Sequence, residues 1–265
     1  MNQKNEHYTF GDTDLAAQRL ALLGRVFEPG SARLFESLGA IPGPLGVDLG
    51  CGVGHTTRLL AERTQVERIV GLDQSKKLLE AAARRYANDR VWFTDCDITQ
   101  PPFPVAPASI LYSRFLLTHL RDPASVIASW AKAAQPGARL VLEETASMRG
   151  EDPAFSRYYA LVERMQAHYG QRMYIGLELS AIAREASAAW SVEHAEIAPS
   201  PLAATDMARL HVMNLRTWSH DPFARAHYAE AELNELASDL DEIALGEARA
   251  APVAVGMGQV VLRRA

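Results

Sequence analysis

The feature that most constrains the fold is a glycine-rich loop between a short apolar run and a helical pattern, in the segment VDLGCGVGH at residues 47–55. Three alternate glycines, Gly50, Gly52 and Gly54, let the backbone turn sharply and approach a ligand without interference from Cβ atoms. The helix that follows offers free N–H groups at its N-terminus. The segment therefore predicts a strand, a ligand-binding turn and a helix in direct succession.

Short apolar runs alternate with helical patterns over residues 45–142. The runs predict buried strands at Leu45–Leu49, Arg68–Leu72, Val91–Thr94, Ser109–Tyr112 and Ala138–Leu142. The helical patterns between them are His55–Glu62, Ser75–Ala87 and Ser125–Ala134. Regular alternation with right-handed crossovers predicts an α/β fold with a doubly wound, mostly parallel sheet. The ligand crevice of such a sheet lies beyond the carboxyl ends of its strands.

Helical segments flank this core on both sides and divide the chain into four predicted regions. These are an N-terminal helical arm at 1–44, the core at 45–150, a helical insertion at 151–190, and C-terminal strands at 191–265 with a second helical insertion at 203–250. In the arm we expect two helices, Leu15–Phe27 and Ser31–Leu38. The two insertions together predict a lid over the crevice.

Composition excludes several classes of protein. Among 265 residues, 27 Lys and Arg stand against 32 Asp and Glu, a net charge of −5 without a basic block, which disfavours nucleic acid as a partner. We expect no membrane span and no secretory signal, and hence a cytoplasmic location. Cys51 and Cys96 are expected to be free thiols, and no metal site is predicted. A homodimer is left open.

Acidic side chains follow the second and third predicted strands. Asp73 ends the second strand, where a carboxylate can accept hydrogen bonds from both hydroxyls of a ribose. Asp97, after the third strand, is placed to accept from an exocyclic amine, and Ile98 to cover a base. A dinucleotide fingerprint needs glycine or alanine where this chain has His55, which disfavours a nicotinamide site. The pattern predicts an adenosine pocket.

The segments VDLGCGVG, VGLDQS, DCDI, ILYSRFLLTHL and PGARLVLEE occur in this order. With them, the chain resembles the class I S-adenosylmethionine-dependent methyltransferases, over roughly Tyr8 to Leu142 and the last strand. The opening YTFGDTDLAAQRL is similar to the N-terminal arm of a bacterial small-molecule branch of that family. The resemblance implies a Rossmann-like, seven-stranded sheet with an antiparallel last strand. It also implies S-adenosylmethionine as cofactor and a small organic molecule as methyl acceptor.

The resemblance assigns the cofactor to residues spread over five segments: Tyr8, Arg19, Gly50, Cys51, Gly52, Gly54, Asp73, Gln74, Asp97, Ile98, Ser113 and Arg114. The loop at 50–54 would pass close to the methionine part and the sugar. Asp73 would hold the ribose, while Asp97 and Ile98 would meet the adenine. Ser113 and Arg114 would line the methionine end, over which the arm residues Tyr8 and Arg19 would close.

Two residues are candidates for a general base. A sulfonium is already a strong electrophile, so positioning carries most of the catalysis and a base is needed only for a weakly acidic acceptor. His119, expected on a helix after the fourth strand, is the first candidate, and Glu144, at the end of the fifth strand, is the second. The alternative for His119 is a structural role beneath the lid.

Other interpretations stay open at this point. The chain could be an S-adenosylmethionine-binding protein without catalysis, or a nucleotide-dependent oxidoreductase. Arg114 could pair with Asp122 or Glu143 instead of a ligand. His211 and Asn214 lie one turn apart on a predicted helix, and we expect a buried interface with both polar groups satisfied; a role in orienting a substrate is the alternative.

Overall fold

The computed structural model describes residues 14–186, 188–218 and 221–265. Seven strands form one sheet: β1 Pro42–Leu49, β2 Gln65–Asp73, β3 Val91–Asp95, β4 Ala108–Arg114, β5 Ala134–Arg149, β6 Trp190–Pro199 and β7 Ala254–Arg264. Their order across the sheet is β3-β2-β1-β4-β5-β7-β6. The first five strands are parallel, and β7 is antiparallel to both of its neighbours, β5 and β6. The predicted Rossmann-like methyltransferase fold is therefore confirmed.

Helices cover both faces of the sheet and its carboxyl edge. They are α1 Asp14–Ser37, α2 His55–Arg63, α3 Lys76–Tyr86, α4 Pro123–Trp130, α5 Pro153–His168, α6 Leu179–Glu185, α7 Ala204–Trp218, α8 Pro222–His227 and α9 Glu230–Leu245. Helix α1 packs against α2 and α7, and α7 packs against α9. No helix in the described part of the chain combines the length and apolarity needed to cross a membrane.

Three details of the helical predictions are wrong. The two expected arm helices form the single helix α1, in which Phe27 and Ser31 are buried on either side of Pro29, so packing outweighs the helix-breaking tendency of proline. The expected helix at Ser125–Ala134 ends at Trp130, and its last residue already belongs to β5. Helix α8, which begins at Pro222 behind the capping carboxylate of Asp221, was missed.

His119 lies in a short 3-10 turn, Leu117–His119, rather than in the helix after β4. Helix α4 begins only at Pro123, because the Asp122 side chain accepts from the backbone N–H of Ser125 and proline favours the first helical position. The turn between β4 and α4 therefore follows the carboxyl end of a central strand, where it can face a ligand.

The sheet places its crevice between β1 and β4. Strands β2 and β3 lie on one side of β1, while β4 and β5 lie on the other, so the connections after β1 and β4 run in opposite directions. A doubly wound sheet opens a ligand crevice at such a point of reversal, beyond the carboxyl ends of the strands. Helices α5 and α7 share an apolar cluster with Met257 of β7 and Phe27 of α1, which brings both helices to this edge of the sheet.

Candidate functional site

A cavity of about 630 Å³ lies at the carboxyl edge of the sheet. Pockets that hold drug-sized ligands span about 300–1,000 Å³. The walls come from the loop after β1, the ends of β2, β4 and β5, and the helices α1, α5 and α7. The cavity thus joins the nucleotide side of the crevice to a compartment beneath the helices.

The loop after β1 depends on glycine. Gly50, Gly52 and Gly54 have φ values of 72°, 51° and 82°, in the left-handed region that side chains with a Cβ seldom adopt. A Cβ on Gly50 would lie 2.8 Å from Leu116 Cδ1, and one on Gly54 would lie 2.9 Å from Phe93 Cε1. The turn therefore needs glycine both for its conformation and for its close packing.

A carboxylate joins this loop to the end of β2. Asp73 Oδ2 accepts a hydrogen bond from the N–H of Gly52 at 2.8 Å, and Oδ1 accepts from the N–H of Ser75 at 2.9 Å. Burial raises the pKa of Asp73, and these backbone donors act in the opposite direction. A carboxylate offers about four acceptor positions, so Asp73 keeps capacity beyond the backbone N–H groups of Gly52, Ser75 and Gln74 that act on it. Two adjacent hydroxyl groups, as on a ribose, match that remaining capacity.

A second carboxylate, that of the buried Asp48, supports the loop. Asp48 Oδ2 accepts hydrogen bonds from the hydroxyls of Thr56 at 2.7 Å and Thr57 at 2.6 Å, in the first turn of α2. Burial raises the pKa of Asp48 to about 6. Asp48 does not line the cavity. It fixes the loop by tying the end of β1 to the start of α2.

Most of the sequence-predicted cofactor residues come together in the cavity lining: Arg19, Gly50, Cys51, Gly52, Asp73, Gln74, Ile98 and Arg114. Four others do not. Gly54 directly precedes α2, Ser113 is buried within β4, and Asp97 is exposed, where its Oδ1 accepts from the N–H and the hydroxyl of Thr99. Tyr8 lies outside the described residues.

Arg114 reaches from the end of β4 to α1. Its Nη1 donates to Ser31 Oγ at 2.9 Å, and its Nη2 donates to the carbonyl of Gly24 at 3.4 Å. The carboxylate of Glu143, one of the partners considered from the sequence, instead accepts from the hydroxyl of Tyr112 at 2.5 Å and the amide of Gln259 at 2.8 Å. The Arg114 guanidinium is therefore a buried cation at the cavity wall, held by neutral groups.

The two candidate bases both line the cavity. Burial and the nearby charge of Arg19 lower the pKa of His119 to about 4, so its imidazole is neutral at physiological pH. Glu144 Oε1 accepts from the backbone N–H groups of Leu116 at 2.8 Å and Leu117 at 2.6 Å. Burial raises the pKa of Glu144 to about 8, so this carboxyl is protonated at neutral pH. Glu144 thus holds the turn that carries His119.

Sequence reasoning missed several lining residues, of which Phe115 is the clearest. Its φ is 58°, an uncommon left-handed conformation for an aromatic residue, and its ring meets Phe27 edge-to-face at 4.9 Å. Backbone strain leaves no signal in the order of residues. Gln166 was also missed, because α5 lies far from the glycine loop in sequence.

Comparisons with known proteins agree with this geometry. Residues 47–142 match the family model described as a methyltransferase domain. Over 97 residues the chain is 33% identical to trans-aconitate 2-methyltransferase of Azoarcus sp. strain BH72, covering 37% of each protein. Over 118 residues it is 28% identical to phosphoethanolamine N-methyltransferase 1 of Zea mays, covering 44% of this chain and 23% of that one.

The chain spans between about a quarter and two fifths of the length of these curated relatives. Among solved structures, one from Bacillus halodurans, described as a candidate methyltransferase, superposes with a TM-score of 0.59 at 17% identity. That match covers 88% of this chain and 98% of the other. The shared fold extends well beyond the segment matched in sequence.

The ionisation of Glu144 gives a testable dependence of stability on pH. Its pKa rises from 4.5 in the unfolded chain to about 8 in the folded one, so the folded state binds more protons between those values and its free energy of unfolding falls as pH rises. Buried histidines oppose this effect only below about pH 6.5, their unfolded pKa. Between pH 6.5 and 8, wild type should lose up to about 1.4 kcal/mol per pH unit relative to Glu144→Gln.

Denaturant unfolding at several pH values measures the effect. Glutamine keeps an oxygen that accepts from both backbone N–H groups, and it does not ionise. The exposed Glu151→Gln variant is the control and should follow wild type. Parallel pH dependences of wild type and Glu144→Gln would contradict the buried, protonated carboxyl.

Proposed function

We propose that this chain, which carries a methyltransferase domain in residues 47–142, transfers a methyl group from S-adenosylmethionine to a small organic acceptor. The observation that carries the proposal is the junction of the glycine loop and Asp73, whose carboxylate binds the loop and keeps acceptor capacity toward the cavity. Trans-aconitate and phosphoethanolamine, named for two relatives, are small organic molecules, which supports an acceptor of that size.

The residues of the crevice fit this cofactor. Asp73 would accept from the ribose hydroxyls, and the glycine loop would admit the sugar and the methionine part where a Cβ would intrude. Ile98, buried at the cavity wall, would cover the adenine, with Asp97 near its rim. Arg114 would face the methionine carboxylate, with Ser113 behind it in β4.

The N-terminal arm and the rest of the loop complete the proposed cofactor site. Arg19 is buried at the cavity wall and supplies a second cation at the methionine end. Cys51 lies in the loop, and burial raises the pKa of its thiol, so it would contact the cofactor as an apolar group and not as a nucleophile. Gln74 would lie beside the ribose.

The protein's contribution to catalysis would be alignment of the acceptor and exclusion of water. When bound, S-adenosylmethionine supplies an electrophilic methyl group on a sulfonium. The helical segments at 151–190 and 203–250 would act as the lid, because Tyr158 and Val162 of α5 and Met207 and Leu210 of α7 line the cavity. Enclosure of this kind orients reactants and strengthens electrostatic interactions inside.

His119 is the proposed proton acceptor where the methyl acceptor must lose a proton. It is neutral above about pH 4 and lines the cavity on the turn that Glu144 holds. Glu144 could accept a proton only above about pH 8. At neutral pH we assign it the positioning of His119 through the N–H groups of Leu116 and Leu117.

A cytoplasmic location remains part of the proposal.

Substitution of Asp73 tests the cofactor site. Asp73→Asn replaces a charged acceptor with an amide that can accept at only one of its two atoms, so the dissociation constant for S-adenosylhomocysteine should rise about ten- to a hundredfold. Isothermal titration calorimetry measures it, and thermal unfolding checks the fold. The exposed Asp89→Asn variant makes the same change of charge away from the cavity and should bind as wild type does. An unchanged constant for Asp73→Asn removes the ribose assignment.

Substitution of His119 tests the proton acceptor. His119→Asn should lower kcat about ten- to a hundredfold while leaving the affinity for S-adenosylhomocysteine close to that of wild type. Transfer of a labelled methyl group, measured with the best acceptor found in a screen, gives kcat. The wild-type rate should also fall as pH drops through about 4, where the imidazole becomes protonated.

The control for this test is His194→Asn, in the edge strand β6 and away from the cavity. It should match wild type in both kcat and affinity. Equal turnover by wild type and His119→Asn would assign His119 a structural role.

A further inference from the structure

One compartment of the cavity is walled by α5 and α7, and we refer to it as the helical half. Its lining side chains from these helices are Tyr158, Val162 and Gln166 on α5, and Met207, Leu210, His211 and Asn214 on α7. None of these seven carries a formal charge at neutral pH. The helical half therefore differs from the nucleotide side, which is lined by Asp73 and Arg114.

Three polar atoms in the helical half have no hydrogen-bond partner among the described residues: Gln166 Oε1, His211 Nδ1 and Asn214 Oδ1. The residues are only 5%, 2% and 6% exposed. Leaving a buried polar atom unpaired costs about 1–3 kcal/mol, so several together in one cavity indicate a ligand that pairs with them. The sequence-based expectation of a buried interface with His211 and Asn214 both satisfied holds only in part, because each side chain has one polar partner and one unpaired atom in the described chain.

Neighbouring groups fix the positions of these side chains. Asn214 Nδ2 donates to the hydroxyl of Tyr158 at 2.6 Å, and His211 Nε2 lies 3.2 Å from the hydroxyl of Tyr159. The Tyr158 ring stacks on the His211 imidazole, with centroids 3.9 Å apart, and on Trp218 from 5.7 Å. The Asn214 atom left unpaired within the described chain is Oδ1, which is a hydrogen-bond acceptor.

Burial keeps the titratable side chains of the helical half uncharged. Burial lowers the pKa of His211 to about 3 and raises the pKa of the Tyr158 and Tyr159 phenols, so all three are neutral at physiological pH. Arg114 is directed to Ser31 and Gly24 of α1. Arg19 lies within electrostatic reach of both His119 and Tyr158, and thus at the border between the two sides. A carboxylate or phosphate placed deep in the helical half would be desolvated without a cation from its walls, which is costly.

We propose that the helical half binds an uncharged, mostly apolar methyl acceptor whose hydroxyl or N–H groups donate hydrogen bonds to the side-chain amide oxygens of Gln166 and Asn214. This inference rests on the proposed function and names its substrate class. The acceptor differs in charge from trans-aconitate and phosphoethanolamine, for which two relatives are named.

The proposed transfer balances with the groups present. A lone pair on the acceptor oxygen or nitrogen forms the new bond to the methyl carbon, and the carbon–sulfur bond breaks with its electron pair remaining on sulfur. The positive charge of the sulfonium is thereby lost, and the proton of the acceptor heteroatom passes to His119 or to water. The apolar side chains Val162, Met207 and Leu210 would hold the acceptor's apolar body.

Binding of matched probes to the protein saturated with S-adenosylhomocysteine tests the inference. The probes are para-tert-butylphenol, para-tert-butylbenzoate and trans-aconitate, of which the first two share an apolar body and differ in charge. Calorimetry should show that the phenol binds about tenfold or more tightly than either anion. Gln166→Leu and Asn214→Leu should each weaken the phenol about three- to tenfold and leave S-adenosylhomocysteine binding unchanged. Glu163→Gln, exposed on α5, is the matched control and should change neither.

The outcomes distinguish a failure of this inference from a failure of the proposed function on which it rests. Retained S-adenosylhomocysteine binding with equal or tighter binding of an anion, or with no binding of the phenol at millimolar concentration, overturns the substrate class alone. Unchanged phenol affinity in both leucine variants also overturns it. Failure of the wild-type protein to bind S-adenosylhomocysteine overturns the proposed function, and the inference with it.

Discussion

The Asp73 carboxylate is the constraint on which the rest of the site depends. It lies at the end of β2 and accepts a hydrogen bond from the N–H of Gly52, in the loop that follows β1. This bond joins the carboxyl ends of two neighbouring strands. The loop can reach Asp73 because its glycines take left-handed φ values. The same carboxylate keeps acceptor capacity on the cavity side. One carboxylate thus both shapes the crevice and offers an acceptor to a ligand.

Much of the fold could be predicted from the sequence, because each strand and helix of a parallel sheet leaves its own local sequence pattern and the order of these patterns defines the topology. Each strand of a parallel sheet ends at the same edge, so a glycine loop, Asp73 and Ile98 after successive strands had to meet there. The antiparallel last strand was also predictable from the resemblance, and β7 occupies that position. Helix bounds were less predictable, since Phe27 and Ser31 keep α1 continuous through Pro29 by packing that no local pattern reveals.

The acceptor side of the cavity could be predicted only in part from the sequence, for a physical reason. Gln166 and Asn214 come from α5 and α7, and helical periodicity indicates which face of each helix is buried but not which cavity that face meets. His119 and Glu144 were found, yet their protonation depends on burial and on the Leu117 N–H, which only the folded chain defines. The chemistry of the acceptor is therefore a tertiary property, whereas the cofactor crevice is largely encoded in order and spacing.

The central claim is that the crevice accepts an adenosyl sulfonium and not a dinucleotide. His55 occupies the position where a dinucleotide-binding fold needs a small residue. It packs against Gly24 of α1, and a Cβ added to Gly24 would lie 2.6 Å from the Cβ of His55. Calorimetric titration of the wild-type protein with S-adenosylmethionine and, separately, with NADH tests the claim most directly. The account predicts saturable binding of S-adenosylmethionine at one site and none of NADH at the same concentrations; tighter binding of NADH would contradict it.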